Sequence, residues 1–355
     1  MSILSLFFAF LLASAAATPA HAAEVGVRTI TVFAPERGRD IDVTVWYPAK
    51  AGGAPLLTGD NRLFKGAPAH GDAPVAEGRF PLVLLSHGSG SRVEGMSWLA
   101  TALAEAGFVV AGPNHPGTTS GDSTPAATPR LWERTADLSA LIDAFSQDAA
   151  WRATIDPARV GVVGFSLGGA AAMEIAGARA DLEAYARYCD EYGKWDCAWF
   201  AGGRGYVDDK PVAVEKVDLR RLDKARFEQS NRDARVRAVV AVDPGLAQAY
   251  AADSLKAIDI PLAFINLGNA DAIPEAVIAD RLAALVPQAS YTAVAEAVHF
   301  SFLPECKEGG ADLLKSLGEV DPICDDPGSR TRADIHAELK QRIIDALQSS
   351  LKGSF

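Results

Sequence analysis

Basic side chains are under-represented in this chain of 355 residues: 34 Lys and Arg stand against 45 Asp and Glu, a formal net charge of −11. No basic patch interrupts that excess, which argues against a nucleic-acid partner. The same charge offers nothing to attract an anionic lipid surface. Cysteine is scarce, with only Cys189, Cys197, Cys306 and Cys324. None of the four falls in a C-x-x-C or Cys/His spacing suited to zinc. Long apolar runs are missing after the first residues, so neither a transmembrane helix nor stable membrane insertion is expected. Internal repeats and low-complexity segments are absent as well. The remaining composition, 49% hydrophobic and 22% charged, is ordinary for a globular protein with a large core.

Residues 1–22 read as a secretory signal peptide. Ile3 to Leu12 is apolar but too short to span a bilayer, and Ala20-His21-Ala22 is a small-x-small cleavage site, which puts the mature start at Ala23. No Lys or Arg precedes the apolar run, and no Cys follows it to carry a lipid anchor. Export, to the periplasm or the medium, permits disulfides. Four cysteines allow three pairings, and sequence does not choose among them. The local pairs Cys189–Cys197 and Cys306–Cys324 are the expected ones. In one straight helix, Cys189 and Cys197 would stand about 12 Å apart, too far to bridge. That pairing therefore needs a break, for which Gly193 is the obvious place.

The chain is organised around Arg159 to Gly169. Val160 to Val163 is a short β-branched run, as a strand covered on both faces needs. Gly164-Phe165-Ser166-Leu167-Gly168 fits the G-x-S-x-G nucleophile elbow, and an Ala-rich helix follows to Gly177. Glycines suit so tight a turn, and the turn would leave the Ser166 hydroxyl at a helix N-terminus.

On either side, the patterns alternate. Val27–Phe33 and Ile41–Trp46 read as an antiparallel hairpin around the turn 35–40, and 48–79 as a Pro-, Gly- and Ala-rich surface excursion. Strands at 80–86 and 108–113 and helices at 96–106 and 131–145 lead to the nucleophile strand. This β-α-β-α-β-α order predicts a mostly parallel sheet with helices on both faces. Residues 179–234 break the rhythm. Tyr185, Tyr188, Tyr192, Trp195 and Trp199 recur there at helical spacing, as a cap over a pocket or as a face packed on the core. Strands at 236–242, 260–267 and 290–295, a helix at 275–286, a loop at 304–330 and a closing helix at 333–351 complete the reading.

A serine nucleophile requires a base, an acid and oxyanion donors. Of the six histidines, His21 belongs to the signal, His70 to the excursion, and His87 and His115 precede Ser166. His336 lies in the closing helix, which leaves His299, after the last strand, as the general base. Asp243 and Asp271 each follow a strand's C-terminal end, and spacing does not decide between them. The amide of Leu167, with that of Ser89 in His87-Gly88-Ser89-Gly90, is the expected oxyanion hole.

These residues carry a resemblance. Leu85 to Gly90, Gly107 to Ala111 with Asn114-His115, Gly164 to Gly169, Val239 to Asp243 and Pro261 to Asn266 together resemble the α/β-hydrolases from residue 80 to about 303. More narrowly they are similar to the secreted platelet-activating-factor acetylhydrolases and the related bacterial dienelactone hydrolase group. The resemblance implies the α/β-hydrolase fold, one catalytic domain over 23–355 with the insertion 179–234, and Asp243 rather than Asp271 as the acid. Phe165 departs from the His of the acetylhydrolases, and Ser166 from the Cys of dienelactone hydrolases proper. The expected activity is a secreted serine esterase acting on a small-molecule or lipid ester through an acyl-enzyme, with no metal or cofactor. The alternatives are an amidase or peptidase, a polyester or lipid hydrolase with 179–234 as its cap, or a non-catalytic binding protein on the same scaffold.

Overall fold

The computed structural model describes residues 24–351 apart from 270 and 272, so the expected signal peptide lies outside the described residues. Its strands are β1 (Glu24–Ala34), β2 (Arg39–Ala49), β3 (Ala54–Thr58), β4 (Ala67–Gly71), β5 (Phe80–Ser86), β6 (Val109–Pro113), β7 (Thr118–Thr119), β8 (Asp122–Ser123), β9 (Ile155–Phe165), β10 (Gly203–Val207), β11 (Lys210–Val214), β12 (Val236–Val242), β13 (Leu262–Leu267) and β14 (Ala289–Val294). The main sheet has the order β14-β13-β12-β9-β5-β6-β2-β1-β4-β3. From β14 to β6 every neighbouring pair is parallel, whereas β2 joins β6 antiparallel.

Alternation along the buried strands builds two cores. Leu82 and Leu84 of β5, with Val160 and Val162 of β9, point to one face. Val83 and Leu85, with Val163 and Phe165, point to the other. Period-two alternation between two apolar layers is what a doubly covered strand requires. The first face is covered by α2 and α4, the second by α1 and the last helix, Arg332–Ser350. Here α1 is Ser97–Glu105, α2 Leu131–Gln147, α3 Ala149–Thr154 and α4 Leu167–Ala176. The chain runs from β5 outward to β6 and then returns to the opposite side of β5 as β9. That reversal is a topological switch point, and in open α/β sheets sites gather there at the strands' carboxyl ends.

The structure differs from the sequence reading in four places. Residues 48–79 are not only an excursion: β3 and β4 pair with each other and extend the sheet edge beyond β1. Pro55 lies on the edge strand β3, and Pro68 on the part of β4 that β1 does not reach, since β4 pairs with β1 only at His70 and Gly71, so each position has one side without a ladder partner. Residues 275–286 do not form one helix. A 3-10 turn, Glu275–Val277, and a short helix, Asp280–Ala283, are separated where buried Asn266 donates to the Val277 carbonyl (2.8 Å) and accepts from the Ala279 amide (2.9 Å). Those two backbone groups are thereby lost to helical pairing. The 304–330 loop contains a helix, Gly310–Ser316, entered through Gly309 at φ 76°. Finally, the second half of the insertion holds the β10–β11 hairpin, whose turn residues Asp208 and Asp209 both have positive φ, as a two-residue hairpin turn demands.

The insertion's aromatic stripe is broken and mostly buried. Helices α5 (Leu182–Tyr192) and α6 (Asp196–Trp199) are separated at Gly193, which is left-handed at φ 57°. The break brings Cys189 and Cys197 to a Cα separation of 5.2 Å, and they are disulfide-bonded, as are Cys306 and Cys324. Tyr185 and Tyr188 pack with Leu131, Leu167 and Ala170 over α4, and both phenols donate to Asp196 (2.8 and 3.3 Å). Trp195 remains half exposed.

Glu174 is buried on α4. Its Oε2 accepts from Asn231 (2.7 Å), and its Oε1 has no partner among the described residues. Burial pushes its pKa up from the ordinary 4.5 to about 8, against the Asn231 hydrogen bond. The folded state therefore favours the neutral acid. Its contribution to stability is complete below pH 4.5 and is lost as pH rises through about 8. Glu174→Gln should raise Tm at pH 8.5 and show a smaller gain at pH 5 in thermal melts. An equal gain at both would mean that Glu174 titrates normally.

Candidate active site

Ser166 sits at the tip of the β9–α4 turn with φ 54° and ψ −119°. Non-glycine residues rarely occupy that region, so the surrounding chain must hold it. Val242 O accepts the Ser166 amide (3.0 Å), and Ser166 O accepts that of Gly245 (2.8 Å). The flanking glycines are steric necessities. A Cβ at Gly164 would lie 2.0 Å from Gly168 O, and one at Gly168 would lie 1.9 Å from Ser86 O. Packing this close is what lets the turn reverse and present the hydroxyl.

His299 opens a 3-10 turn, His299–Phe302, beyond β14. Its Nε2 is 3.2 Å from Ser166 Oγ, and its Nδ1 is 2.8 Å from Asp243 Oδ2. A carboxylate only accepts, so Nδ1 carries the proton and Nε2 is left to accept from the serine. Several contacts fix the turn. Val298 N donates to Ser301 Oγ (3.0 Å), which donates to Asp326 (2.7 Å), and His336 Nε2 donates to Ser301 O (3.0 Å). The imidazole also lies against the Phe165 ring, with centroids 4.9 Å apart.

Asp243 ends β12 and is fully buried. Besides the imidazole it accepts from Asn266 Nδ2 (2.8 Å) and from the Leu267 amide (2.9 Å). Three donors thus converge on this one carboxylate. Asp271, the other candidate acid, lies exposed on the loop after β13. Leu167 is the first residue of α4, where free amides face outward. Ser89 is exposed within the turn Gly88–Ser91, closed by Ser91 N to Gly88 O (3.3 Å). That turn lies against Ser166: a Cβ on Gly88 would stand 3.4 Å from Ser166 Cβ.

The sequence reading missed a second, wholly buried group beneath this turn. Ser86 Oγ is 3.0 Å from His115 Nε2, and His115 Nδ1 is 2.8 Å from Asp137. The order repeats that of Ser166, His299 and Asp243, but all three residues have no exposed surface, so no substrate reaches them. Arg37 grips Asp137 with two nitrogens (2.7 and 2.8 Å), and Arg134 donates to Ser86 Oγ (3.3 Å) and His87 O (2.7 Å). Burial holds His87 and His115 well below the usual histidine range, so both are neutral. Asn266 was missed too. Its signal was an amide inside the apolar run of β13.

The profile of the alpha/beta hydrolase family matches residues 82–309, a stretch that contains Ser166, Asp243 and His299. The chain belongs to the alpha/beta hydrolase family. Among solved structures this hydrolase is similar to a ferulic acid esterase from Streptomyces cinnamoneus. The TM-score is 0.62 at 18% identity, over 95% of this chain and 93% of that one. A protein from Klebsiella pneumoniae assigned as a dienelactone hydrolase aligns at 12% identity with a TM-score of 0.46, over 90% and 98% of the two chains. No curated protein matches the hydrolase.

The elbow glycines make a direct stability prediction. Gly168→Ala should lower stability by at least about 1–3 kcal/mol, the usual cost of overpacking, because the clash is with backbone. Chemical denaturation of the folded fraction would measure it. An unchanged midpoint would refute the steric account of the turn.

Proposed function

We propose that this hydrolase is an exported serine esterase that cleaves carboxylic esters through an acyl-enzyme. The observation that carries the reading is the continuous hydrogen-bonded line from Ser166 Oγ through His299 to Asp243, at 3.2 and 2.8 Å. Ser166 Oγ attacks the ester carbonyl while His299 Nε2 takes its proton. Asp243 keeps the imidazole in that tautomer and stabilises the imidazolium. The tetrahedral oxyanion faces the amides of Leu167 and Ser89. His299 then protonates the departing alkoxide, and a water, deprotonated by the same nitrogen, releases the acid.

The chain's fold likeness to a ferulic acid esterase supports an ester substrate without fixing the acyl group. A polyester or lipid depolymerase would want an exposed aromatic platform. The burial of Tyr185 and Tyr188 counts against it. Two disulfides support an oxidising compartment, periplasmic or extracellular.

The test is hydrolysis of p-nitrophenyl esters from acetate to palmitate, beside a matched anilide. Wild type should turn over at least one ester and leave the anilide nearly untouched. Ser166→Ala should lose at least about 10⁴-fold in kcat, and Asp243→Asn about as much. Asp271→Asn should retain wild-type kcat. Full activity in Ser166→Ala would end the proposal, and activity lost with Asp271→Asn but kept with Asp243→Asn would reassign the acid.

A further inference from the structure

The turn that presents Ser89 N–H is made of soft backbone. A Cβ on Gly88 would press on the Phe165 ring at 3.2 Å. Gly90, at φ 65°, supplies the left-handed residue that closes the turn. Two glycines in three residues leave the intervening peptide free to rotate. A peptide unit is rigid, however, so its C=O and N–H turn together. Whatever holds Gly88 O therefore aims Ser89 N–H.

His87 Nδ1 holds that oxygen at 2.7 Å. The donor is assigned by the other ring nitrogen: Nε2 accepts the His115 amide (3.2 Å), which puts the proton of the neutral ring on Nδ1. The same turn is fastened at both ends by Arg134. Its Nη1 donates to His87 O (2.7 Å) before the turn. On the far side, its Nε donates to Thr118 Oγ1 (3.1 Å), and Thr118 O accepts the Gly90 amide (2.9 Å). Both residues are buried, out of reach of substrate.

We propose that His87 and Arg134 are positioning residues of the oxyanion hole, Arg134 clamping the ends of the turn and His87 orienting the Gly88–Ser89 peptide toward the oxyanion. The proposal rests on the serine-esterase reading. It also explains the buried Ser86–His115–Asp137 line. Asp137 fixes His115, whose amide fixes the His87 tautomer, and Ser86 Oγ accepts a further Arg134 N–H.

The experiment exploits the two ring nitrogens. Asn places an amide N–H where His87 Nδ1 stands, whereas Gln reaches the Nε2 position and leaves Gly88 O with only the longer Ser91 amide bond (3.3 Å). With the best p-nitrophenyl ester, His87→Gln should lower kcat by about 10–100-fold, in the range of a weakened oxyanion donor, with KM within about threefold. His87→Asn should recover most of kcat. A KM effect in place of a kcat effect, or equal losses in the two variants, would overturn the proposal. If His87→Gln does not fold, Arg134→Lys decides: it should show the same kcat loss, and wild-type kcat would overturn the proposal. Fluorophosphonate labelling of wild-type Ser166 separates the two levels. No label would sink the serine-hydrolase reading itself. A labelled enzyme whose kcat is indifferent to residues 87 and 134 would sink only this inference.

Discussion

The strained turn at Ser166 depends on two places where no side chain fits. With Gly164 against the Gly168 carbonyl and Gly168 against the Ser86 carbonyl, β9, α4 and the end of β5 approach at backbone distance. A residue at φ 54° is unfavourable alone. Here it is held by hydrogen bonds to Val242 and Gly245, which belong to the neighbouring strand and its loop. The end of β5 and the loop after β12 are therefore tied together through the Ser166 turn, which touches both through main chain.

Around that unit the protein keeps its polar groups neutral or fully bonded. His87, His115 and His336 are buried, and burial lowers each below the ordinary histidine range. Neutral rings can both donate and accept, and each is used that way or as a donor to a backbone carbonyl. The buried charges are arranged differently. Asp243 is surrounded by three donors, Asp137 by Arg37 and His115, and Arg134 by carbonyl and hydroxyl oxygens. A half-satisfied network at this depth would cost more than an apolar core, which accounts for the density of bonds under the oxyanion turn.

Much of the fold was legible because strong local signals agreed with the tertiary result. The run Phe80–Ser86 is β5 from end to end, and the elbow glycines announce the β9–α4 turn. The proximity of His299 to Ser166 was anticipated by elimination and by its place after the last strand. Spacing did not separate Asp243 from Asp271, which look alike as aspartates at strand ends; only the family resemblance favoured Asp243, and the structure buries it against His299 while Asp271 is exposed. The interrupted helix at 275–286 was hidden, since its apolar periodicity is intact and the competing partner is a side chain from another strand. The β10–β11 hairpin was masked by charge, although its Asp208-Asp209 pair was a usable turn signal.

By itself the sequence determined the strand and helix periods, the places where only glycine fits, and the chemical types available for a nucleophile, base and acid. These are local properties, set by sterics and by apolar spacing along a few residues. The tertiary structure brought Asp243 rather than Asp271 to His299, and sealed a second Ser-His-Asp line beneath the first. Those outcomes depend on contacts between residues far apart in the chain, where burial removes water as a competing partner and hydrogen-bond geometry selects one arrangement among many.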